Sequence, residues 1–192
     1  MARRRKRAGR LFLVILILLL VVAGAAVWFV YPTQSLDLKY RTVDFKEKLM
    51  TMIQNRDTRM KLSLEEVSQL SKKNLVKYKN THDLGVEITG ADFQMNGTVM
   101  TAQMNGRYGA LPFGAVLKFQ MSARGSQLIL NHQSTTIRGV EVPQNVFVLD
   151  PIEISIKDYL PDLVTVKDVK FLSDGLELNF TLDWMSIPSL FK

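Results

Sequence analysis

An uncharged run of 21 residues, Leu11 to Tyr31, stands directly behind six cations and constrains this chain more than anything else in it. As a helix rising 1.5 Å per residue, the run reaches about 31 Å, the thickness of a bilayer's hydrocarbon core. Arg3, Arg4, Arg5, Lys6, Arg7 and Arg10 all precede it. The positive-inside rule then leaves the N-terminus in the cytoplasm and the C-terminal part outside. A cleaved secretory signal would need a short apolar core, Leu11 to Val22, and a small-residue site at Ala23-Gly24-Ala25. The apolar run instead continues through Val27, Trp28, Phe29, Val30 and Tyr31 to Pro32. Trp28 and Tyr31 fall at its far end, where amphipathic rings favour the headgroup layer. The expectation is an uncleaved, single-pass anchor in the cell membrane.

That anchor changes how the charge is read. Six of the 25 Lys and Arg belong to the N-terminal flank, leaving 19 against all 18 Asp and Glu in the remainder. The external part is close to neutral, so the overall basicity is a topology signal and argues for no nucleic-acid partner. Residues 33–192 are enough for one domain with a core of its own. With no cysteine in the chain, disulfides, thiolate metal sites and cysteine nucleophiles are excluded. Packing alone must hold an extracytoplasmic domain, which suits a bacterial surface.

Four segments follow: a cytoplasmic basic flank over 1–10, a transmembrane helix over 11–31, a stalk over 32–42 and an extracytoplasmic domain over 43–192. Within the domain, Phe45, Leu49, Met52 and Ile53 have helical spacing. Met60 and Leu62 predict a brief strand. Ser63 followed three residues later by Glu66 is a capping box, and Leu64, Val67, Leu70, Leu75 and Tyr78 keep one face of the helix it starts. Lys72, Lys73, Lys77 and Lys79 populate the rest of that helix as a solvated face.

Beyond residue 84 the period drops to two. Val86 and Ile88, then Phe93 and Met95, alternate with polar residues, with a phase slip near Gly90 that predicts a bulge. Asn96-Gly97 predicts a type I′ hairpin turn. Met100, Ala102 and Met104 share the face of the return strand. Ala115, Leu117, Phe119, Met121 and Ala123 share that of the next, which turns at Gly125-Ser126. The strand from Gln127 towards Ile137 is mostly polar after Leu130 and predicts a sheet edge. Asp150-Pro151-Ile152-Glu153 predicts a second helix start, with Leu160-Pro161 its stop, although Ile152, Ile154 and Ile156 equally suit a strand. Val164–Leu172 and Leu176–Trp184 predict a final hairpin. The fold class is α+β: a mostly antiparallel, curved β-sheet behind the transmembrane helix, covered on one face by helices.

The basic start, the single membrane helix, Tyr31-Pro32 with Leu36-Asp37-Leu38, then Leu62-Ser63-Leu64-Glu65-Glu66-Val67 and Val86-Glu87-Ile88-Thr89-Gly90-Ala91-Asp92-Phe93 come in a familiar order. It resembles the YpmS-like family, small single-pass membrane proteins of Gram-positive bacteria whose function is not established. The layout is also similar to lipid-binding domains in which a curved antiparallel sheet wraps a helix around an apolar groove. That likeness concerns architecture alone.

No catalytic constellation is visible. His82 and His132 are isolated and read as surface residues, with no further ligands at metal-binding spacing. No nucleophile elbow or phosphate loop occurs. Glu65 and Glu66 serve the helix start, and Glu141, Asp150, Asp158 and Asp162 are only loosely clustered. The chain reads as a non-enzyme that needs no cofactor. Met95, Met100, Met104 and Met121, with Phe93 and Phe119, fall on the inward sheet faces. They make either an adaptable core or the wall of a groove for an acyl chain. The expected function is a membrane-anchored envelope protein that binds a lipid or other apolar ligand between sheet and helices. The alternative is an interaction module that positions a protein partner at the outer membrane face.

Overall fold

The computed structural model describes residues 2–160 and 164–182. Among them the chain is α+β, with a long apolar N-terminal helix and antiparallel sheets. The first helix, α1 (Ala2–Val30), runs back through the basic flank. Its stretch from Phe12 to Val30 is long and apolar enough to cross a membrane, and none of it is buried by the rest of the chain.

Local signals set the next elements. Asp44 caps α2 (Phe45–Gln54), its carboxylate accepting the Glu47 N–H at 2.9 Å. Strand β1 (Arg59–Ser63) ends on the capping box of α3 (Leu64–Thr81). Ser63 Oγ accepts the Glu66 N–H, and the Glu66 carboxylate accepts the Ser63 N–H at 2.9 Å. Lys48 of α2 reaches the same carboxylate at 2.9 Å. Partial burial works to raise the Glu66 pKa, but Lys48 and the Ser63 N–H outweigh it and hold the group below its ordinary 4.5.

Because the folded value is the lower one, this stabilisation is complete above pH 4.5 and drains away as pH falls through the lowered value. Glu66→Gln is therefore expected to cost about 1 kcal/mol at neutral pH, the usual worth of a cap. The difference from the parent should shrink in acid, which urea titrations at several pH values would show. An equal cost at every pH would remove the charge from the explanation.

The larger sheet runs in the order β2-β3-β4-β5-β6, with β7 also paired to β5. Its strands are β2 (Glu87–Asn96), β3 (Val99–Tyr108), β4 (Leu111–Arg124), β5 (Gln127–Ile137), β6 (Val140–Val142) and β7 (Ile152–Ser155). The smaller sheet has the order β1-β9-β8, from β8 (Val164–Leu172) and β9 (Gly175–Leu182). Every pairing in both sheets is antiparallel. One apolar core joins them to the helices: Leu49 and Met52 of α2, Val67 of α3, Met100, Leu117, Phe119 and Met121 of the larger sheet, and Val166, Leu176, Leu178 and Phe180 of the smaller. Helix α3 lies along β2, where Lys72 pairs with Asp92 at 3.8 Å and Lys79 Nζ donates to the Ile88 carbonyl at 3.1 Å. The lysine face is thus half-buried at Lys72, Lys73 and Lys79 and open only at Lys77.

Several sequence expectations need correction. The β2–β3 turn is centred on Gly97 and Thr98, since Asn96 already pairs with Val99. Only Gly97 has positive φ there, the type II′ pattern. A type I′ pattern, positive φ at both central residues, occurs instead at Arg138-Gly139 between β5 and β6. Strand β5 is not a free edge, because β7 pairs along Gln127–Leu130 and β6 along Thr135–Ile137. The segment from Ile152 is not a helix but strand β7, followed by a single 3-10 turn at Ile156–Tyr159. Alternating β-branched side chains and an available sheet edge outweigh a helix too short to stabilise itself. Pro161, Asp162, Asp183, Trp184 and the tail from Ser186 to Lys192 lie outside the described residues.

Residues 32–37 are held against the sheet. Gly90, Asn105 and Gly114 form one row across β2, β3 and β4, on the face opposite the core. The chain from Pro32 to Asp37 crosses that row. Asn105 Nδ2 donates to the Gln34 carbonyl at 2.6 Å, and the Ala91 N–H to the Asp37 carbonyl at 3.1 Å. The flanking glycines make the crossing possible. A Cβ on Gly90 would overlap the Leu36 backbone carbonyl, and one on Gly114 would lie 2.9 Å from Pro32 Cα.

Candidate functional site

Strand alternation and register place Ala91, Phe93 and Met95 of β2 beside Met104, Ala102 and Met100 of β3. Ala115, Leu117, Phe119 and Met121 of β4 follow on the same face. A groove of about 290 Å³ opens over part of this surface, floored by Phe93, Met100, Met104 and Phe119. Helix α3 forms one wall through Ser71, Asn74, Leu75 and Tyr78, and β7 forms the other through Ile152 and Ile154. Of the residues singled out from the sequence, Met95 and Met121 stay outside the groove. Both are buried in the core, Met121 to 1% exposure.

Tyr159 closes one end. Its hydroxyl donates to Asn74 Oδ1 across the groove, and its ring packs on Phe45 with centroids 5.8 Å apart. Burial raises the Tyr159 pKa; the Asn74 hydrogen bond opposes that rise and Asp158 adds to it, so the phenol stays protonated as the donor. At the other end His82 stacks on Tyr78, centroids 4.2 Å apart. The rim is divided by charge, with Lys77 on the α3 side and Glu153 and Asp158 on the β7 side.

His132 departs from its surface reading. A bulge at Gln133 lets both His132 and Thr135 face inwards, since Phe119 pairs with His132 and Leu117 with Thr135. The ring meets Phe119 and Phe147 edge-on, with centroids 5.7 and 5.8 Å away. Its Nδ1 accepts the Leu149 N–H at 3.5 Å, so we assign the proton to Nε2, 2.8 Å from Thr135 Oγ1. This histidine is a structural member of the inner face.

Among the described residues lining the groove, none assembles a nucleophile, a base and an orienting partner. Among the described residues no group of three or more His, Asp or Glu is placed to hold a metal ion. Glu141 lies on β6, Asp150 precedes β7, and Asp158 sits in the 3-10 turn, while Asp162 falls outside the described residues. The walls were hidden in the sequence. Leu75 reads as an ordinary amphipathic position, and Ile152 and Ile154 belong to the segment expected as helix. Their β-branched alternation was the available signal. No protein-family model, curated protein or solved structure matches the chain.

Proposed function

We propose that this is a single-pass protein of a Gram-positive-type cell membrane, N-terminus cytoplasmic, whose external domain works without catalysis as a carrier or sensor of one apolar chain. The segment order resembling the YpmS-like family supports the setting. The observation that carries the function is the groove. Its floor is aromatic and methionine-lined, its walls are α3 and β7, and α3 acts there as the cover of the sheet's apolar face. At about 290 Å³ it lies just below the roughly 300–1,000 Å³ range of drug-sized ligand sites, which suits a ligand no larger than a single acyl chain. Methionine side chains adapt to a flexible ligand, and Lys77 at the mouth offers a cation to an acidic head.

A photoactivatable fatty acid added to the full chain in membranes should crosslink to the α3–β7 groove. Leu75→Trp, which fills the space from the half-buried α3 wall, should cut that labelling at least about tenfold while leaving the fold intact by circular dichroism; tenfold corresponds to 1.4 kcal/mol of lost affinity. Unchanged labelling would remove the groove from the explanation. Protease applied to intact cells lacking an outer barrier should destroy an epitope at Lys192 and spare one at Met1; protection of both would overturn the orientation.

A second reading keeps the interaction module. Val146 and Val148 are 72% and 62% exposed in the loop that carries Phe147 over His132. A protein partner at the outer membrane face is the natural occupant if the groove stays empty.

A further inference from the structure

We propose that the end of the larger sheet carrying the turns Gly109-Ala110 and Arg138-Gly139 rests on the lipid surface beside α1, seating the domain in one orientation. The inference rests on the reading of α1 as a membrane span. It begins with the connection between the two bodies. Residues leaving α1 do not form a free tether, because Pro32 to Asp37 are laid across Gly114, Asn105 and Gly90. Asn105, only 9% exposed, is held there by its bond to the Gln34 carbonyl.

The same end of the sheet grips the helix itself. The guanidinium of Arg138 stacks 4.2 Å over the Trp28 ring and reaches the Tyr31 carbonyl at 3.5 Å. Arg138 makes this contact from φ 49°, a backbone state that a non-glycine residue rarely holds. Helix α1 also touches β4 directly. Trp28 belongs to the apolar run and takes an interfacial depth in a spanning helix, so the Arg138-Gly139 turn is brought to that depth with it.

The β3–β4 hairpin continues past this level. Leu111 lies three residues beyond Gly114 along β4, about 10 Å at a strand's rise. From Tyr108 to Gly114 the sequence Tyr-Gly-Ala-Leu-Pro-Phe-Gly carries no charge. Tyr108 is 68% exposed, and Val140 beside the second turn is 57% exposed. The nearest cation in sequence, Arg107, is paired with Glu87 at 2.9 Å. An uncharged aromatic tip next to a membrane helix has the chemistry of an interfacial anchor, a tyrosine ring with an apolar body and a polar edge.

The chain has no cysteine, so single labels can be placed at will. We would reconstitute the full chain in phosphatidylethanolamine–phosphatidylglycerol vesicles containing a lipid with an acyl-chain nitroxide quencher. An environment-sensitive dye would be attached to Ala110→Cys, to Ser126→Cys at the opposite end of β4, or to Leu19→Cys within α1. The Ala110→Cys label should lose at least about half its intensity, as for a group within the roughly 5–10 Å headgroup–acyl boundary, while the Ser126→Cys label stays bright. Adding Tyr108→Glu with Leu111→Glu should restore the intensity at the Ala110→Cys label. Quenching at Leu19→Cys with none at Ala110→Cys overturns the seating and spares the membrane span. Quenching at neither overturns both, and quenching at Ala110→Cys that survives the double substitution overturns the anchoring role of the apolar pair.

Discussion

Gly175→Ala is expected to destabilise the protein by about 3–5 kcal/mol, among the largest effects available to a single methyl group. Two costs coincide there. Gly175 has φ 148°, a conformation that an L side chain enters only with strain of order 1–3 kcal/mol. A Cβ at that point would also overlap the Leu62 carbonyl oxygen and lie 3.0 Å from its carbon. That backbone has no room to yield. Gly175 pairs with Ser63 at the end of the β1–β9 ladder, and Ser63 is the residue that caps α3. Pushing β1 away would disturb the smaller sheet and the capping box together, and overpacking of this kind adds typically 1–3 kcal/mol.

Gly109→Ala is the control. Gly109 also has positive φ, 59°, but no neighbour within 4 Å of an added Cβ. It should show the conformational cost alone, about 1 kcal/mol. Urea unfolding of the full chain in detergent micelles would compare the two. Equal losses would mean that β1 shifts freely and that the close approach costs nothing.

The contrast between these glycines bears on what the sequence could reveal. Signals confined to a few residues were legible: the Ser63–Glu66 capping box, the bulge near Gly90, the Gly125-Ser126 turn, and the alternation of Leu176, Leu178 and Phe180. Each depends on hydrogen bonds or side-chain periodicity within one segment. The saddle for residues 32–37 was not legible, because Gly90, Asn105 and Gly114 lie on three strands and become one row only through register. His132 was misread for a related reason. Its polar neighbours suggested solvent, whereas the bulge at Gln133 turns both it and Thr135 inwards. The groove floor could be read from strand alternation, which put Phe93, Met100, Met104 and Phe119 on one face. Its walls could not. They arise where α3 and β7 meet that face, a tertiary event to which neither Leu75 nor Ile152 testifies alone.

Register also separates two methionines that the sequence placed together. Met121→Ala is expected to cost about 3–4 kcal/mol, and Met104→Ala less than about 1.5. A buried methionine cut to alanine typically loses about 2–5 kcal/mol, and most where the surroundings cannot collapse. Met121, at 1% exposure, pairs across β5 with buried Leu130 and sits in the core common to both sheets. Truncation there leaves a closed void. Met104 is half-buried on the groove floor, so its loss widens a space already open and forfeits fewer contacts. Chemical unfolding of both variants gives the stabilities, and fatty-acid crosslinking gives their ligand behaviour. Met104→Ala should reduce labelling without unfolding the chain, whereas Met121→Ala should lower stability and leave labelling of the folded fraction unchanged. If the two variants prove equally destabilised and neither alters labelling, the groove floor is ordinary core, and the apolar loop at Val146–Val148 becomes the surface on which a function must be sought.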